Sequence, residues 1–590
     1  MCGIAGIFRR ADSAVEPFVL DALERALRHR GPDSVGRFTR GAISLVHTRL
    51  AIIDLESGQQ PLFGPSGVAL VANAEIYNAP EIKARFAGDA FHTHSDCEPP
   101  IHLYEQMGAD YATGLRGMYA MVMCDPDGRR MEISRDPFGI KPLYYIEDDA
   151  GFAFASEPQA LVAARLVSGD ISEARRDELL QLKFTVGADT IFDGVKRVLP
   201  GESLIIEQGR IVGRRQIEAV SPPRTTARKT DLVAGFEAAM TDSVAAHLQS
   251  DVPVGLFLSG GVDSSILMLL IKRIAHERIL SISVGYDDAA ADTSRDESAA
   301  ATSFAQRHDV PFERVQMSRS DFWDLSPRIA AAIDDPTADA AVLPSFILGM
   351  AAAKLGRKVI LCGEGADELF GGYRRYRPRL FGQFRRDRTL RRGVYSRTEA
   401  AGCFKTDWQA GLAAAIQAEQ GRWRSSMETA QAIDVREWLP NDLLVKLDRC
   451  LMVHGIEGRT PYLDPVVAEF AATISPDSRI KGDLGKIVMR DWLAKADPAY
   501  PAFAKKKGFI TPVGRWIAQK GDVLSELISA HPGVAPWMRR DVVRSIFASA
   551  AVDSQPAWSL MFYALWHSRH VLGVDPNQPA DACLSAALKA

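Results

Sequence analysis

The sequence predicts two folded units: stacked, mainly antiparallel sheets with helices on their faces, followed by a parallel α/β sheet. Two patterns predict it. Up to about residue 210, β-branched and aromatic runs such as AISLVHTRLAIIDL, GVALVANAEIYN, MYAMVMCDPDG and GFAFASE are broken by Gly, Asp and Pro. After a polar stretch with Pro222-Pro223, strands alternate with helices, the pattern of a parallel sheet. In the first unit, helices are expected near 16–29, 97–107 and 173–184, and DPDG (Asp125–Gly128) reads as a hairpin turn. In the second, VPVGLFL, ILSISVGY and KVILC read as buried strands, and ILMLLIKRIAHE as a helix. Beyond about residue 400 the chain reads as Ala/Leu-rich helix. The expected boundaries are 1–213, a linker at 214–230, 231–545, and a helical tail at 546–590.

Composition narrows the function. A net charge of −4 over 590 residues disfavours broad nucleic-acid binding by charge. The 7 cysteines are odd in number, scattered and without a CxxC pair, which fits a reducing compartment better than a disulfide framework or zinc site. No basic-then-apolar leader opens the chain and no apolar run is long enough to span a bilayer, so a cytoplasmic protein without a membrane partner is expected.

The strongest local motif is LSGGVDSS, Leu258 to Ser265, where a strand ends and a helix begins. Gly260 and Gly261 let the backbone turn sharply and approach a ligand. The helix start offers free N–H groups to an anion, and Ser259, Ser264 and Ser265 add hydroxyls. Asp263 would repel a phosphate unless a cation lay between them, which implies Mg²⁺. An arbitrary SGG is as often a serine-capped turn; the full motif in this context is not. GEGADELFGGY (363–373) then sets Glu364, Asp367 and Glu368 after another strand end, where ligand crevices of parallel sheets lie. Asp367 is a candidate second metal ligand and Glu364 a candidate base. Lys486 in GKIVMR and Lys506 in KKKGFITPVGRW are candidate partners for the charge on a pyrophosphate leaving group.

The loop resembles the PP-loop of ATP pyrophosphatases, which cleave ATP between its α and β phosphates. The ordered set MCGIAGIF, RHRGPD, HTRLAIIDL, NAEIYN, SDCE, SRDPFGIKPLYY, SGGVDSS and GEGADE resembles the glutamine-dependent asparagine synthetases, from Cys2 to about Trp516. That resemblance implies an N-terminal-nucleophile hydrolase α-β-β-α sandwich followed by a PP-loop domain. It implies that Met1 is removed, that Cys2 attacks the glutamine amide, and that the freed α-amine, with a pKa near 8, serves as its base. Arg49 then suits the substrate carboxylate, Glu75 and Asp96 its ammonium group. Asn73 and the N–H of Ala74 form the oxyanion hole. Leu50, Ala51, Ile52 and Ile53 line the pocket with them. ATP is placed on Leu258–Ser265 and Lys486, with Val262 at the helix start and Val284, Cys362 and Gly363 near the nucleoside. Ammonia passes to an acyl-adenylate, expected to be β-aspartyl-AMP, and a homodimer is implied.

One departure stands out. The family usually has Gly where this chain has Ala74, and alanine adds a methyl and disfavours positive φ. Weakened glutamine turnover is expected if the position needs that backbone. Two further readings stand beside asparagine synthesis: amidation of another carboxylate, such as a sugar acid or peptide, and a scaffold or sensor with an idle glutaminase domain. Ring-closing relatives usually lose the Cys2 nucleophile or its pocket, whereas Cys2, Arg49, Asn73, Glu75 and Asp96 are all present here.

Overall fold

The computed structural model describes residues 2–10, 16–86, 90–222, 227–275, 278–286, 298–377, 391–505 and 511–590. Two six-stranded antiparallel sheets build the first unit. One runs in the order Lys196–Arg197, Tyr144–Glu147, Gly151–Ala155, Cys2–Arg9, Ile43–Arg49, Ser34–Arg40. The other runs Arg210–Gln216, Glu202–Glu207, Arg130–Arg135, Gly117–Cys124, Ala69–Ile76, Leu62–Phe63.

Alternation along each strand assigns its faces. Ile4, Phe8, Leu45, Val71, Val122 and Ile133 fill the space between the sheets. Ala5, Ile7 and Val46 face outward onto the helix Pro17–Leu27, and Leu70, Ala72 and Met121 onto the helix Pro99–Met107. This is the expected α-β-β-α sandwich. The helix Pro99–Met107 starts at its Pro-Pro pair, where a missing N–H is harmless. The DPDG turn closes with Gly128 N–H donating to the Asp125 carbonyl at 3.0 Å.

The second unit holds a five-stranded, all-parallel sheet in the order Phe312–Met317, Leu280–Tyr286, Val254–Phe257, Val359–Leu361, Glu457–Arg459. The last strand, EGR, has no apolar run and escapes sequence pattern; it hydrogen-bonds to Val359–Leu361 and brings two charged residues into the core. The segment 546–590 is helical. Its helix Ser554–His570 is no appendage: Trp558, Leu560, Phe562 and Trp566 are buried in a cluster shared with Tyr144 and Phe192 of the first unit. The first unit's last strand extends to Gln216, past the expected boundary.

Candidate active sites

Cys2 opens the central strand of its sheet, paired with Arg49. It shares strand parity with Ile4 and so faces the inter-sheet space. Asn73 has the parity of Val71 on the facing sheet, and its Oδ1 accepts a hydrogen bond from Cys2 N–H at 2.9 Å. Its Nδ2 is buried without an acceptor. The N–H of Ala72 points off the sheet edge to Gln60 Oε1 at 2.6 Å, and that of Ile76 to Asp96 Oδ2 at 2.7 Å. Alternation puts the Ala74 N–H on the same edge. An unsatisfied amide side chain and an edge N–H beside a thiol are what an oxyanion requires. Burial pushes the Cys2 thiol up, while the Leu50 N–H and the Arg49 guanidinium favour its thiolate.

Ala74 sits in regular strand with negative φ. Its methyl belongs to the outer cluster with Ile101 and Leu103, on the face opposite Asn73. Neither reason for expecting weakened turnover therefore applies.

The remaining first-site candidates are divided between pocket and interface. Arg49 is buried and its Nη2 donates to the carbonyls of Ile53 and Asp54. Leu50 and Ile52 pack on Val359 and Met452 of the second unit, with Ile53 alongside. Ala51 N–H donates to Asp33 at 2.8 Å. Glu75 pairs with Arg459 at 2.8 Å, across the interface, and burial raises its carboxyl against that arginine's pull. Burial likewise raises Asp96.

Behind Cys2 lies a layer of buried ions that sequence reading did not single out. Arg30 Nε donates to the Cys2 carbonyl at 3.2 Å, and the same guanidinium binds Asp448 at 2.7 and 2.9 Å and Glu157 at 2.8 Å. Arg449 joins Asp448 (2.6 Å) to Asp334 (2.7 Å), and Arg459 joins Glu75 to Glu457 (2.6 Å). One signal was available: VKLDRCLM places charges around a helix whose residues are all buried, and a solvated helix has no reason to carry Leu and Cys between them.

At the second site, the helix Val262–Ile274 starts at Gly261 with no side-chain cap, leaving its first N–H groups available. Gly260 is at φ 75°, and a Cβ there would lie 2.7 Å from Ala301 N. Ser264 Oγ accepts from Ser259 N–H at 3.1 Å and fixes the loop; Ser265 Oγ is buried with no partner. Leu258 and Cys362, each one residue past a strand, and Val284, within the strand Leu280–Tyr286, are buried, and Gly363 approaches Asp263 so closely that a Cβ would be 3.3 Å from its Cβ. Lys486 Nζ lies 2.7 Å from both oxygens of Asp263 and 2.7 Å from Asp367 Oδ1. Its backbone is left-handed, φ 60°. Two carboxylates thus converge on one cationic point beside a helix start, a donor set that fits Mg²⁺ completed by phosphate oxygens and water. Among the described residues no group of three or more His, Cys, Asp or Glu could hold a metal. Burial raises Glu364, opposed by the charge of Lys446. Lys506 lies outside the described residues.

Comparison with known proteins finds a family match for each of the two units. The family model described as asparagine synthase matches residues 235–568, and that described as glutamine amidotransferase domain matches residues 1–216. The chain belongs to the asparagine synthase family. It is similar to asparagine synthetase [glutamine-hydrolyzing] 1 of Bacillus subtilis (strain 168), 29% identical over 97% of each chain. It is also similar to asparagine synthetase B of Escherichia coli (strain K12), 28% identical over 90% of this chain and 86% of that one. A third relative, amidase chry2 of Gibberella zeae, is 27% identical over 82% of this chain and 84% of its own. The protein is a glutamine-dependent amidotransferase of the asparagine synthase type, a carbon–nitrogen ligase with glutamine as amide donor. No helix among the described residues of this synthase is long and apolar enough to cross a membrane.

Proposed function

We propose that the enzyme makes asparagine from aspartate, hydrolysing glutamine at Cys2 and forming β-aspartyl-AMP at the PP-loop. The observation that carries the second step is the convergence of Asp263, Asp367 and Lys486 at an uncapped helix start. Once Met1 is removed, the Cys2 α-amine takes the thiol proton and the thiolate attacks the glutamine carboxamide. Asn73 Nδ2 and the Ala74 N–H receive the oxyanion, Arg49 and Asp96 orient the amino-acid end, and the pairing of Glu75 with Arg459 ties that pocket to the second unit. Ammonia leaves and water releases glutamate from the thioester. At the other site, the helix N–H groups and the loop hydroxyls hold the phosphates in line. The aspartate side-chain carboxylate attacks the α-phosphorus, and Lys486, with Lys506, neutralises departing pyrophosphate. Mg²⁺ held by Asp263 and Asp367 would screen the triphosphate charge. Glu364, with its carboxyl raised by burial, accepts a proton as ammonia attacks the acyl carbon; asparagine and AMP are released.

The test is pyrophosphate release with ATP, glutamine or an ammonium salt, and a panel of carboxylates. Aspartate should be the preferred acceptor; release with a sugar acid or peptide but not aspartate overturns this reading in favour of another acceptor. Cys2→Ala should abolish glutamine-driven synthesis and keep ammonium-driven synthesis. Survival of the glutamine-driven reaction would remove Cys2 from the mechanism.

A further inference from the structure

Arg49 is aimed by a turn. Its Nη2 donates to the Ile53 carbonyl at 3.3 Å and to the Asp54 carbonyl, while Nε and Nη1 have no partner among the described residues. Asp54 sits in that turn at φ 54°, a left-handed backbone that a residue other than glycine keeps only where its surroundings hold it. Its carboxylate accepts from Ser57 N–H at 2.8 Å, Ser57 Oγ at 2.6 Å and His94 N–H at 3.0 Å, all within the first unit. Gly58 crosses the turn so closely that a Cβ there would lie 2.5 Å from Arg49 Nη2 and 2.9 Å from the Asp54 carbonyl oxygen.

One further hold comes from across the interface. Asp251 Oδ2 accepts from Asp54 N–H at 2.7 Å, and Asp251 N–H donates to the Ile52 carbonyl at 3.0 Å. The Asp54 N–H and the Ile53 carbonyl are the two ends of one planar trans peptide. Fixing the first sets the direction of the second, and the second is one of the carbonyls that receive Arg49. Asp251 lies just ahead of the strand Val254–Phe257, at the end opposite LSGGVDSS, with roughly 13 Å of strand between them. The two units are also joined independently of this bracket. Leu50 and Ile52 pack on Val359 and Met452, and Lys358 Nζ donates to Asp33 at 2.8 Å.

We propose that Asp251 is a positioning residue for glutamine hydrolysis, supplied by the synthase unit. It holds the Ile53–Asp54 peptide in the plane that turns Arg49 toward the glutamine α-carboxylate. This rests on the assignment of Arg49 to that carboxylate. Asp251 touches no substrate and acts only through Arg49, so the glutamine pocket takes its final shape when the second unit is docked.

The experiment measures glutamate release from glutamine and, separately, ammonium-driven pyrophosphate release, both on the full chain. Asp251→Ala should raise the KM for glutamine about 3- to 30-fold, the span of one part-buried hydrogen bond, with kcat for hydrolysis within about twofold. Asp251→Asn keeps an oxygen acceptor for Asp54 N–H and should restore most of the affinity. The KM for ATP and the ammonium-driven rate should stay within about twofold of wild type. Lys358→Met weakens the interface without touching the Ile53–Asp54 peptide and should leave the glutamine KM within about twofold. In an Arg49→Met background, Asp251→Ala should add less than about twofold to the loss in kcat/KM, because the group it acts through is gone. Additive losses in that background, an equal rise with Lys358→Met, or a parallel fall in the ammonium-driven reaction overturn the proposal and leave a general interface contact. If Arg49→Met raises the glutamine KM and Asp251→Ala does not, the proposal alone fails. If Arg49→Met does not raise it, the assignment of Arg49 fails and the proposal falls with it.

Discussion

At the scale of single residues, the Cys2 site is decided by strand parity. Asn73 faces Cys2 because both point between the sheets, and its Nδ2 is buried without an acceptor, which supports the proposed oxyanion role. Asn73→Ala should lower glutamine hydrolysis by about 10²–10³-fold, the usual loss for one oxyanion donor. Ammonium-driven synthesis should hold; a matching fall in both reactions, read side by side, counts against the assignment. Ala74 points the other way. Ala74→Gly should leave glutamine turnover within about twofold and cost roughly 0.5–1 kcal/mol of stability from the freer backbone and lost packing. A large gain in turnover, measured at saturating glutamine, contradicts the placement of its methyl in the outer core.

At the scale of elements, the PP-loop site depends on close backbone approach. Gly372 passes under the carboxylate of Asp367, where an added Cβ would lie 1.7 Å from Oδ1 and 2.4 Å from Lys486 Cε. Gly372→Ala should therefore displace both charged groups and reduce pyrophosphate release by at least about tenfold, while glutamine hydrolysis persists. Near-normal release with ATP would show that the three charges are not set by this turn. The elements themselves differ in how readable they are. LSGGVDSS was legible because strand, turn and helix follow directly in sequence. The strand Glu457–Arg459 was not, because a three-residue strand has no period to detect. The helix Ser554–His570 read as a tail because apolar content alone does not say what a helix packs against.

At the scale of the molecule, the two units share buried charge. Arg459 holds Glu75 and Glu457, one from each unit. Replacing it by alanine leaves buried Glu75 without its partner and Glu457 with Lys141 alone, at 3.8 Å, and should cost about 3–5 kcal/mol, visible as a lower thermal midpoint. Asp448 gives the pH dependence. Burial pushes its carboxyl up, but Arg30 and Arg449 outweigh burial and hold it below the usual range. Its contribution is fully present above the unfolded value near 4 and is lost as pH falls through the lower folded value. The stability advantage of wild type over Asp448→Asn should be constant from pH 7 to about 5 and shrink toward pH 3. Denaturant melts that show the advantage growing in acid would reverse the sign.

The amino-acid sequence by itself determined the local chemistry: a thiol beside the chain start, a glycine-serine turn at a helix N-terminus, and acidic groups after a strand. Each follows from neighbours in the chain and from period-two or helical patterning. What tertiary structure decided was pairing at a distance. Arg30 with Asp448, Arg459 with Glu75 and Lys446 with Asp339 join residues far apart in sequence, and a buried charge carries no local mark of its partner. The direction of the Ala74 methyl was settled in the same way, by the sheet that its strand enters.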